Sequence, residues 1–294
     1  MFYAYGFTTY KKKTIMMLLT PYQPYSDPGP GILPLDAYYI YSHRAHLETQ
    51  EFIRLLKEKG IEAGEFEEPV YKKLAIRAGI AAILGTNSLV YNYYHGSRFV
   101  LTAVEISYKK DIEAHEFDEL MEKIGARRAE AGEMTASINC YKCGLCIGAC
   151  PVGAIDYNGL TPEKCMRVYM VKGDVPDDVS EKMGGAFLGC DLCQRICPIN
   201  RTGVQAMPEE LKKLLKVDNF LREPKKYTGA LAPLIGSNYA NANRLLALCL
   251  NAAGNSGNKK YLPLIKPHLE SKSEAVKRAA ERAVKKLGTT LKTF

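Results

Sequence analysis

Hydrophobic positions in the first third of the chain follow strand and helix patterns in turn. Residues 14–22 form a short apolar, partly β-branched run that a proline stops, which predicts a buried strand. Between Tyr41 and Lys59 apolar residues recur at helical spacing and Gly60 follows as a stop signal, so an amphipathic helix is expected. Further patterns predict strands at residues 61–66 and 97–108 and a helix at residues 69–78. This alternation indicates an α/β domain over residues 1–135.

The last third of the chain has helical patterns only. Residues 206–294 contain three segments with apolar residues at helical spacing, ANRLLALCLNAA, YLPLIKPHLES and SEAVKRAAERAVKKLG. Short helices that stack on one another are typical of HEAT-like repeats, so a HEAT-like helical tail is expected. With a cysteine-rich segment at residues 136–205 between the two parts, the predicted fold class is α+β.

Eight of the nine cysteines fall in two runs. The first run is Cys140, Cys143, Cys146 and Cys150, followed by a proline. The second run is Cys165, Cys190, Cys193 and Cys197, followed by a proline. The first spacing is that of bacterial ferredoxins, in which closely spaced cysteines wrap a tight loop around a cubane whose soft iron prefers thiolate. The two runs therefore predict two [4Fe–4S] clusters in a ferredoxin-like domain.

In two-cluster ferredoxins the fourth cysteine of each run binds the other cluster. This rule assigns Cys197 to the cluster of the first three cysteines in the first run, and Cys150 to the cluster of Cys165, Cys190 and Cys193. Structural zinc is the alternative, although zinc sites rarely use this run twice. Cys249 lies between two leucines on an apolar helix face and is predicted to be a core residue.

The net charge of +8 is unevenly distributed. Residues 201–294 hold 18 Lys and Arg against 7 Asp and Glu, a net charge of +11, whereas the remainder holds 22 against 25, a net charge of −3. A basic region indicates a polyanionic partner, because Lys and Arg that face phosphates release counterions; a solvated helical surface is the alternative. No secretory signal and no apolar stretch of about 20 residues is visible, so a cytoplasmic protein without a membrane span is expected.

Taken in order, several segments resemble the epoxyqueuosine reductases, cobalamin-dependent iron–sulfur enzymes related to the reductive dehalogenases. The resemblance rests on the double cysteine set and on residues 72–90, 95–106, 189–200 (GCDLCQRICPIN) and 254–257 (GNSG). It implies that an external donor such as flavodoxin or ferredoxin passes electrons through both clusters to a base-off cobalamin in the α/β domain. The implied reaction reduces epoxyqueuosine in tRNA to queuosine, and the basic C-terminal region would hold part of the tRNA.

Three departures from the family pattern change the expectations. The run at residues 14–22 resembles the family's first strong core strand, so an N-terminal stretch is expected to be missing. Where the family carries an Asp proton donor this chain reads GEFEEPV, so Glu65 or Glu67 is the expected donor if burial raises its pKa; three solvated acids are the alternative. The family's Gly-Lys-Asn appears as Gly85-Thr86-Asn87, without the lysine.

The candidates for lining the corrinoid pocket are polar and aromatic. They are His43 and Arg44 on the first predicted helix, and Asn87, Tyr91, Tyr93 and Tyr94 after the second. An ordinary helix face or strand edge is the alternative for each. Two other functions stay open at this point: a non-catalytic ferredoxin-type electron carrier, and a corrinoid-dependent reductase of another substrate.

Overall fold

A five-stranded sheet organises the first part of the chain. The computed structural model describes residues 2–82, 84–107, 119, 121–123, 125–129, 140–201 and 203–288. The strands are β1 (Ala4–Tyr10), β2 (Lys13–Pro21), β3 (Glu62–Glu65), β4 (Phe99–Ser107) and β5 (Arg127–Arg128). Their order in the sheet is β3-β4-β2-β1-β5, and every neighbouring pair is antiparallel except β1 and β5.

The central strand β2 is buried on both faces, which explains its uninterrupted apolar run. Met16 packs on one face in a cluster with apolar residues of helix α1 (Ala37–Glu58). Met17 packs on the other face in a cluster with apolar residues of helix α2 (Tyr71–Arg77). Successive side chains of a strand point to opposite faces, so a strand that is covered on both sides is mostly apolar.

The strands and helices that were expected in the first third of the chain are present, with shifted ends. Helix α1 begins at Ala37, four residues before the expected start at Tyr41. Asp36 caps this helix, because its carboxylate accepts the backbone N–H of Tyr38 at 3.0 Å. The expected strand at residues 97–108 is β4, and residue 108 lies outside the described residues.

The element that the hydrophobic pattern did not predict is β1. It pairs with β2 in a hairpin whose turn contains Lys11 and Lys12, with φ values of 48° and 67°. Hairpins join antiparallel strands, so β1 and β2 are antiparallel. The sheet is therefore mainly antiparallel, although the helices and strands that follow alternate along the chain. The expected α+β class is confirmed at this level.

The rest of the described chain contains mainly helices. The cysteine segment contains α3 (Leu145–Gly148), α4 (Met166–Lys172), α5 (Asp177–Lys182), α6 (Leu192–Arg195) and a small hairpin of β6 (Ile155–Asp156) and β7 (Gly159–Leu160). The tail contains α7 (Glu209–Leu214), α8 (Val217–Arg222), α9 (Pro224–Ile235), α10 (Ala242–Asn255), α11 (Leu262–Ile265) and α12 (Glu274–Gly288). The three helical patterns of the tail correspond to α10, to residues 259–270 around α11, and to α12.

One apolar core joins parts of all three predicted domains. It contains Tyr39 of α1, Met166 and Phe187 of the cysteine segment, and Leu245 and Cys249 of α10. Cys249 is therefore a core residue, as its leucine neighbours indicated. The expected domain boundary at residue 135 lies outside the described residues. Within the described ranges, no helix combines the length and the apolar character that crossing a membrane requires.

Candidate metal centre

Three cysteines of the first run and one of the second line a common cavity. They are Cys140, Cys143, Cys146 and Cys197. The chain turns sharply between Cys140 and Cys146, because Lys142 and Gly144 both adopt positive φ, at 49° and 76°. Helix α3 follows this turn and carries Cys146. The turn lets closely spaced thiols face one cavity while Cys150, beyond the end of α3, lies elsewhere.

The other four cysteines line a second cavity of about 300 Å³. They are Cys150, Cys165, Cys190 and Cys193. Each cavity thus takes three cysteines from one run and the fourth from the other, which is the arrangement that the crossing rule predicted. All eight thiols are free of disulfide bonds. Among the described residues, no three His, Cys, Asp or Glu side chains come as close together as a single bound metal ion requires.

Electrostatics at the second cavity favour a metal-bound state of the thiols. Burial is the main cause that raises the pKa of Cys193 to about 12 and that of Cys190 to about 11, and the neighbouring thiols contribute to both shifts. Two neighbouring thiols with raised pKa values ionise together only beside a compensating positive charge, which the irons of a cluster supply. The donor set therefore fits a [4Fe–4S] cluster.

Residues of the segment before β4 contact the cysteines of the first cavity. The backbone N–H of Thr86 lies 3.5 Å from Cys140 Sγ, and the Thr86 hydroxyl lies 3.4 Å from the same sulfur. Burial alone would raise the pKa of Cys140, but these contacts outweigh it and the pKa is lowered. The Tyr91 hydroxyl lies 3.6 Å from Cys197 Sγ and donates to Asn87 Oδ1 at 3.0 Å. Two of the predicted pocket residues, Asn87 and Tyr91, therefore border a cysteine cavity.

Polar side chains of the GCDLCQRICPIN segment form hydrogen bonds with Ser97, which lies just before β4. The backbone N–H of Ser97 donates to Asn200 Oδ1 at 2.7 Å. Gln194, which is buried, donates from Nε2 to the Ser97 carbonyl at 2.9 Å and accepts the Tyr22 hydroxyl proton at 3.3 Å. These hydrogen bonds fix the second run of cysteines against the sheet.

The glycine of the same segment is required by its surroundings. Gly189 has a φ of +99°, and a Cβ atom there would lie 2.4 Å from Asp36 Cβ and 2.8 Å from a ring carbon of Tyr39. A side chain at this position would therefore clash with the start of α1. The close approach brings Cys190 next to the N-terminus of α1.

The remaining predicted site residues lie away from both cavities. Glu65 and Glu67 are exposed in a surface depression with Lys11 and Lys13, and Glu65 lies 3.1 Å from His46 Nδ1. The burial that their expected role required is therefore not found. Their catalytic role stays a prediction.

The other candidates are also dispersed. His43 packs against Gly236 at the end of α9, and Arg44 forms an exposed ion pair of 2.8 Å with Glu48. Tyr93 and Tyr94 are exposed and pack against each other, with ring centroids 5.1 Å apart. None of these side chains lines the cavities of the cysteines.

Several residues of the second cavity were missed by the sequence reasoning. Its aromatic wall consists of Tyr22, Tyr38 and Phe99, and Lys72 lies at the same cavity with its Nζ donating to the Ser88 carbonyl at 2.6 Å. Each lies at the end of a strand or the start of a helix, where an aromatic residue gives no periodic signal. Phe99 lies inside the segment that carries the family resemblance, but only its proximity to Cys150 in space assigns it to the cavity.

A partly buried cation near these tyrosines was missed as well. The guanidinium of Arg167 stacks on the rings of Tyr38 and Tyr39, at 4.4 and 5.2 Å from their centroids. Burial raises the pKa of Asp36 at the start of α1, and Arg167 opposes this shift. Arg167 follows the ligand candidate Cys165 by two positions, and that nearness was the one available signal.

Comparisons with known proteins agree with this geometry. Residues 139–200 match the family model of the 4Fe-4S double cluster binding domain. The chain is 33% identical to the epoxyqueuosine reductase of Staphylococcus aureus over 116 residues, which are 35% of this chain and 28% of that protein. It is 27% identical to the epoxyqueuosine reductase of Lactococcus garvieae over 229 residues, which are 73% of this chain and 57% of that protein.

The solved structures show the same fold. A selenomethionine-labelled epoxyqueuosine reductase superposes with a TM-score of 0.70 at 18% identity, over 93% of this chain and 73% of the other. An epoxyqueuosine reductase in complex with an epoxyqueuosine-modified tRNA-Tyr stem loop superposes with a TM-score of 0.64 at 17% identity, over 94% and 82% of the two chains.

The two crossed cysteine cavities and the matching family model define a double-cluster iron–sulfur protein. Its resemblance to the epoxyqueuosine reductases is confirmed by the curated relatives and by the shared fold. The matched segments span 28%, 48% and 59% of the first three curated relatives, so the chain covers less than two thirds of their length.

Proposed function

We propose that this chain is a cytoplasmic iron–sulfur oxidoreductase that passes electrons through two [4Fe–4S] clusters to a cobalamin and reduces epoxyqueuosine in tRNA to queuosine. The observation that carries the proposal is the crossed sharing of eight cysteines between two adjacent cavities, within a fold that epoxyqueuosine reductases also have. A ferredoxin-type carrier needs the clusters but does not need the aromatic wall of Tyr22, Tyr38 and Phe99 in the second cavity.

The direction of electron flow follows from exposure. Cys143 of the first set is exposed, so a donor such as flavodoxin or ferredoxin can approach that cluster. Cys193 of the second set is partly buried and interacts electrostatically with Cys146 of the first set, so we infer that the two sets adjoin. Electrons therefore enter at the first set and leave from the second set toward its cavity.

The second cavity fits one face of a corrinoid. Its aromatic wall of Tyr22, Tyr38 and Phe99 presents apolar surface to a flat macrocycle, and the thiols of Cys150 and Cys193 line the same space. A volume of about 300 Å³ is at the lower end for small-molecule sites, and the cluster would take part of it, so a cobalamin would enter only beside the aromatic wall. A bound cobalamin would supply the cobalt centre that delivers electrons to the epoxide.

Proton supply and tRNA binding rest on surface residues. Glu65 and Glu67 are the proposed proton donors, and Glu65→Gln and Glu67→Gln should each slow the reduction if this assignment is right.

The tRNA would contact the basic tail, where Lys225, Lys266 and Lys272 are exposed. Lysines that face phosphates gain affinity through counterion release.

Finer features of the architecture belong to the same proposal. We assign residues 1–135 to a substrate and corrinoid domain, 136–205 to a ferredoxin-like domain and 206–294 to a HEAT-like domain. The support is that α3 and α6, each of which carries a cysteine of a different run, pack against each other, and that α10 and α12 pack side by side in the tail.

An anaerobic turnover assay tests the function. The reconstituted protein should hold about eight irons per chain, bind added cobalamin with a change in its absorption spectrum, and convert epoxyqueuosine in a tRNA stem loop to queuosine. A fully loaded protein that binds no cobalamin, together with a deletion strain that keeps all its queuosine, would contradict the proposal. The matched control is the protein with Cys193→Ser, which should lose turnover together with the second cluster.

A further inference from the structure

The two cysteine sets differ in the origin of their hydrogen-bond donors. In the second set, Cys150 Sγ accepts the backbone N–H of Ala154, four residues further along the same loop, at 3.3 Å. In the first set, Cys140 and Cys197 receive contacts from Thr86 and Tyr91, which lie more than fifty residues away in the sequence. The first set is thus contacted by side-chain hydroxyls from another part of the fold.

Both hydroxyls are held in place by their surroundings. Tyr91 is only 1% exposed, and its oxygen lies between Cys197 Sγ at 3.6 Å and Asn87 Oδ1 at 3.0 Å. Asn87 Oδ1 also accepts the backbone N–H of Leu89 at 3.2 Å, which fixes its position. The hydroxyl and the backbone N–H of Thr86 converge on one sulfur.

Cluster binding settles which atoms donate. A cysteine that binds iron is a thiolate and has no proton to give, so Cys140 and Cys197 can only accept. The hydroxyl of Thr86 is then the donor to Cys140, and the hydroxyl of Tyr91 is a donor to Cys197 when its proton faces that sulfur instead of Asn87 Oδ1. Tyr91 has a single proton, and Asn87 Oδ1 and Cys197 Sγ compete for it.

We propose that Thr86 and Tyr91 set the reduction potential of the cluster held by Cys140, Cys143, Cys146 and Cys197. One-electron reduction adds a negative charge to the cluster, and part of this charge resides on the ligand sulfurs. A donor on those sulfurs stabilises the reduced form more than the oxidised form, and so raises the potential. The raised potential makes the exposed cluster a better acceptor for electrons from the external donor.

The effect requires the clusters but not the substrate. Thr86 and Tyr91 are positioning residues that act through the cysteine ligands, so a protein that failed to reduce epoxyqueuosine could still show the shift in potential. A protein that reduced epoxyqueuosine without the expected shift in potential would overturn this inference alone.

The test is an anaerobic redox titration of the loaded full chain, followed by electron paramagnetic resonance. Tyr91→Phe and Thr86→Val remove one hydroxyl each with little change in shape, and Thr86→Ser restores the hydroxyl. We expect one of the two midpoint potentials to fall in each of the first two variants while the other stays constant. A tenfold drop in the equilibrium constant for reduction would appear as a shift of about 59 mV for one electron.

The matched control is Tyr141→Phe. Tyr141 lines the same cavity and is exposed, and the described structure shows no hydrogen bond from its hydroxyl to a cysteine sulfur, so both potentials should stay at their original values. Equal potentials in Tyr91→Phe, Thr86→Val and Tyr141→Phe would overturn the inference. Loss of iron from the first two variants would also overturn it, because the contacts would then hold the cluster rather than tune it.

Discussion

The packing of α10 against α12 leads to a sharp prediction at Gly254. A Cβ atom at this position would lie 2.7 Å from Ala283 Cα and 2.9 Å from Ala283 Cβ. Carbon atoms pack best at about 3.5–4.0 Å, so the substitution Gly254→Ala forces the two helices apart. Gly254 is part of the GNSG segment that carried the family resemblance, and here its missing side chain has a structural reason.

The magnitude follows from two opposing effects. Overpacking a tight contact costs about 1–3 kcal/mol. Replacing glycine by alanine within a helix returns up to about 1 kcal/mol. We therefore expect Gly254→Ala to lower the free energy of unfolding by about 0–2 kcal/mol. The matched control is Gly229→Ala within α9, where a Cβ atom would meet nothing within 4 Å and where a gain of about 0.5–1 kcal/mol is expected.

The assay compares thermal midpoints of the two loaded variants under anaerobic conditions. A fixed scan rate and protein concentration are needed, because loss of the clusters makes unfolding irreversible. The difference between the variants isolates the close approach and should be about 1–3 kcal/mol. At about 2–4 °C per kcal/mol for a chain of this size class, Gly254→Ala should melt at least ~2 °C below Gly229→Ala. Equal midpoints would refute the packing argument.

Three further predictions test the site. The double variant Cys143→Ser with Cys197→Ser should retain about four irons per chain, because both cysteines bind the same cluster. The double variant Cys150→Ser with Cys197→Ser should lose nearly all iron, because each cluster loses one ligand. Equal iron counts in the two double variants would contradict the crossed ligation. Gln194→Leu should lower the free energy of unfolding by about 1–3 kcal/mol in thermal melts, because the buried Ser97 carbonyl loses a donor; unchanged stability would show that water replaces it. Lys266→Ala should weaken tRNA binding if this lysine faces a phosphate. The magnitude of the slope of log affinity against log salt concentration should then fall by about 0.7–0.9. An unchanged slope would exclude the contact.

The cysteine set could be predicted from the sequence because its constraint is local. The thiols from Cys140 to Cys150 are separated by only two or three residues, which leaves few geometries in which the loop can bind a cluster. The similar spacing of the two runs predicts that they exchange their fourth ligands. The buried strand β2 was equally accessible, since an apolar run without polar interruptions indicates a strand that is covered on both faces.

Long-range contacts could not be predicted in the same way. No local pattern indicates that Thr86 and Tyr91 meet cysteines more than fifty residues later in the chain, nor that Arg167 stacks on Tyr38. The strand β1 was missed because its aromatic and polar residues lack an alternating pattern, and pairing with β2 stabilises it. Glu65 was selected by counting along the sequence, and sequence position alone does not report burial.

The division of ligands between the cavities also bears on how the chain matures. The cavity that begins at Cys140 is completed only by Cys197, so its cluster cannot close while the nascent chain ends before that residue. At about 5–20 residues per second, the ribosome leaves the earlier thiols waiting for several seconds. Both cavities therefore acquire their last ligands, Cys193 and Cys197, within four residues of each other.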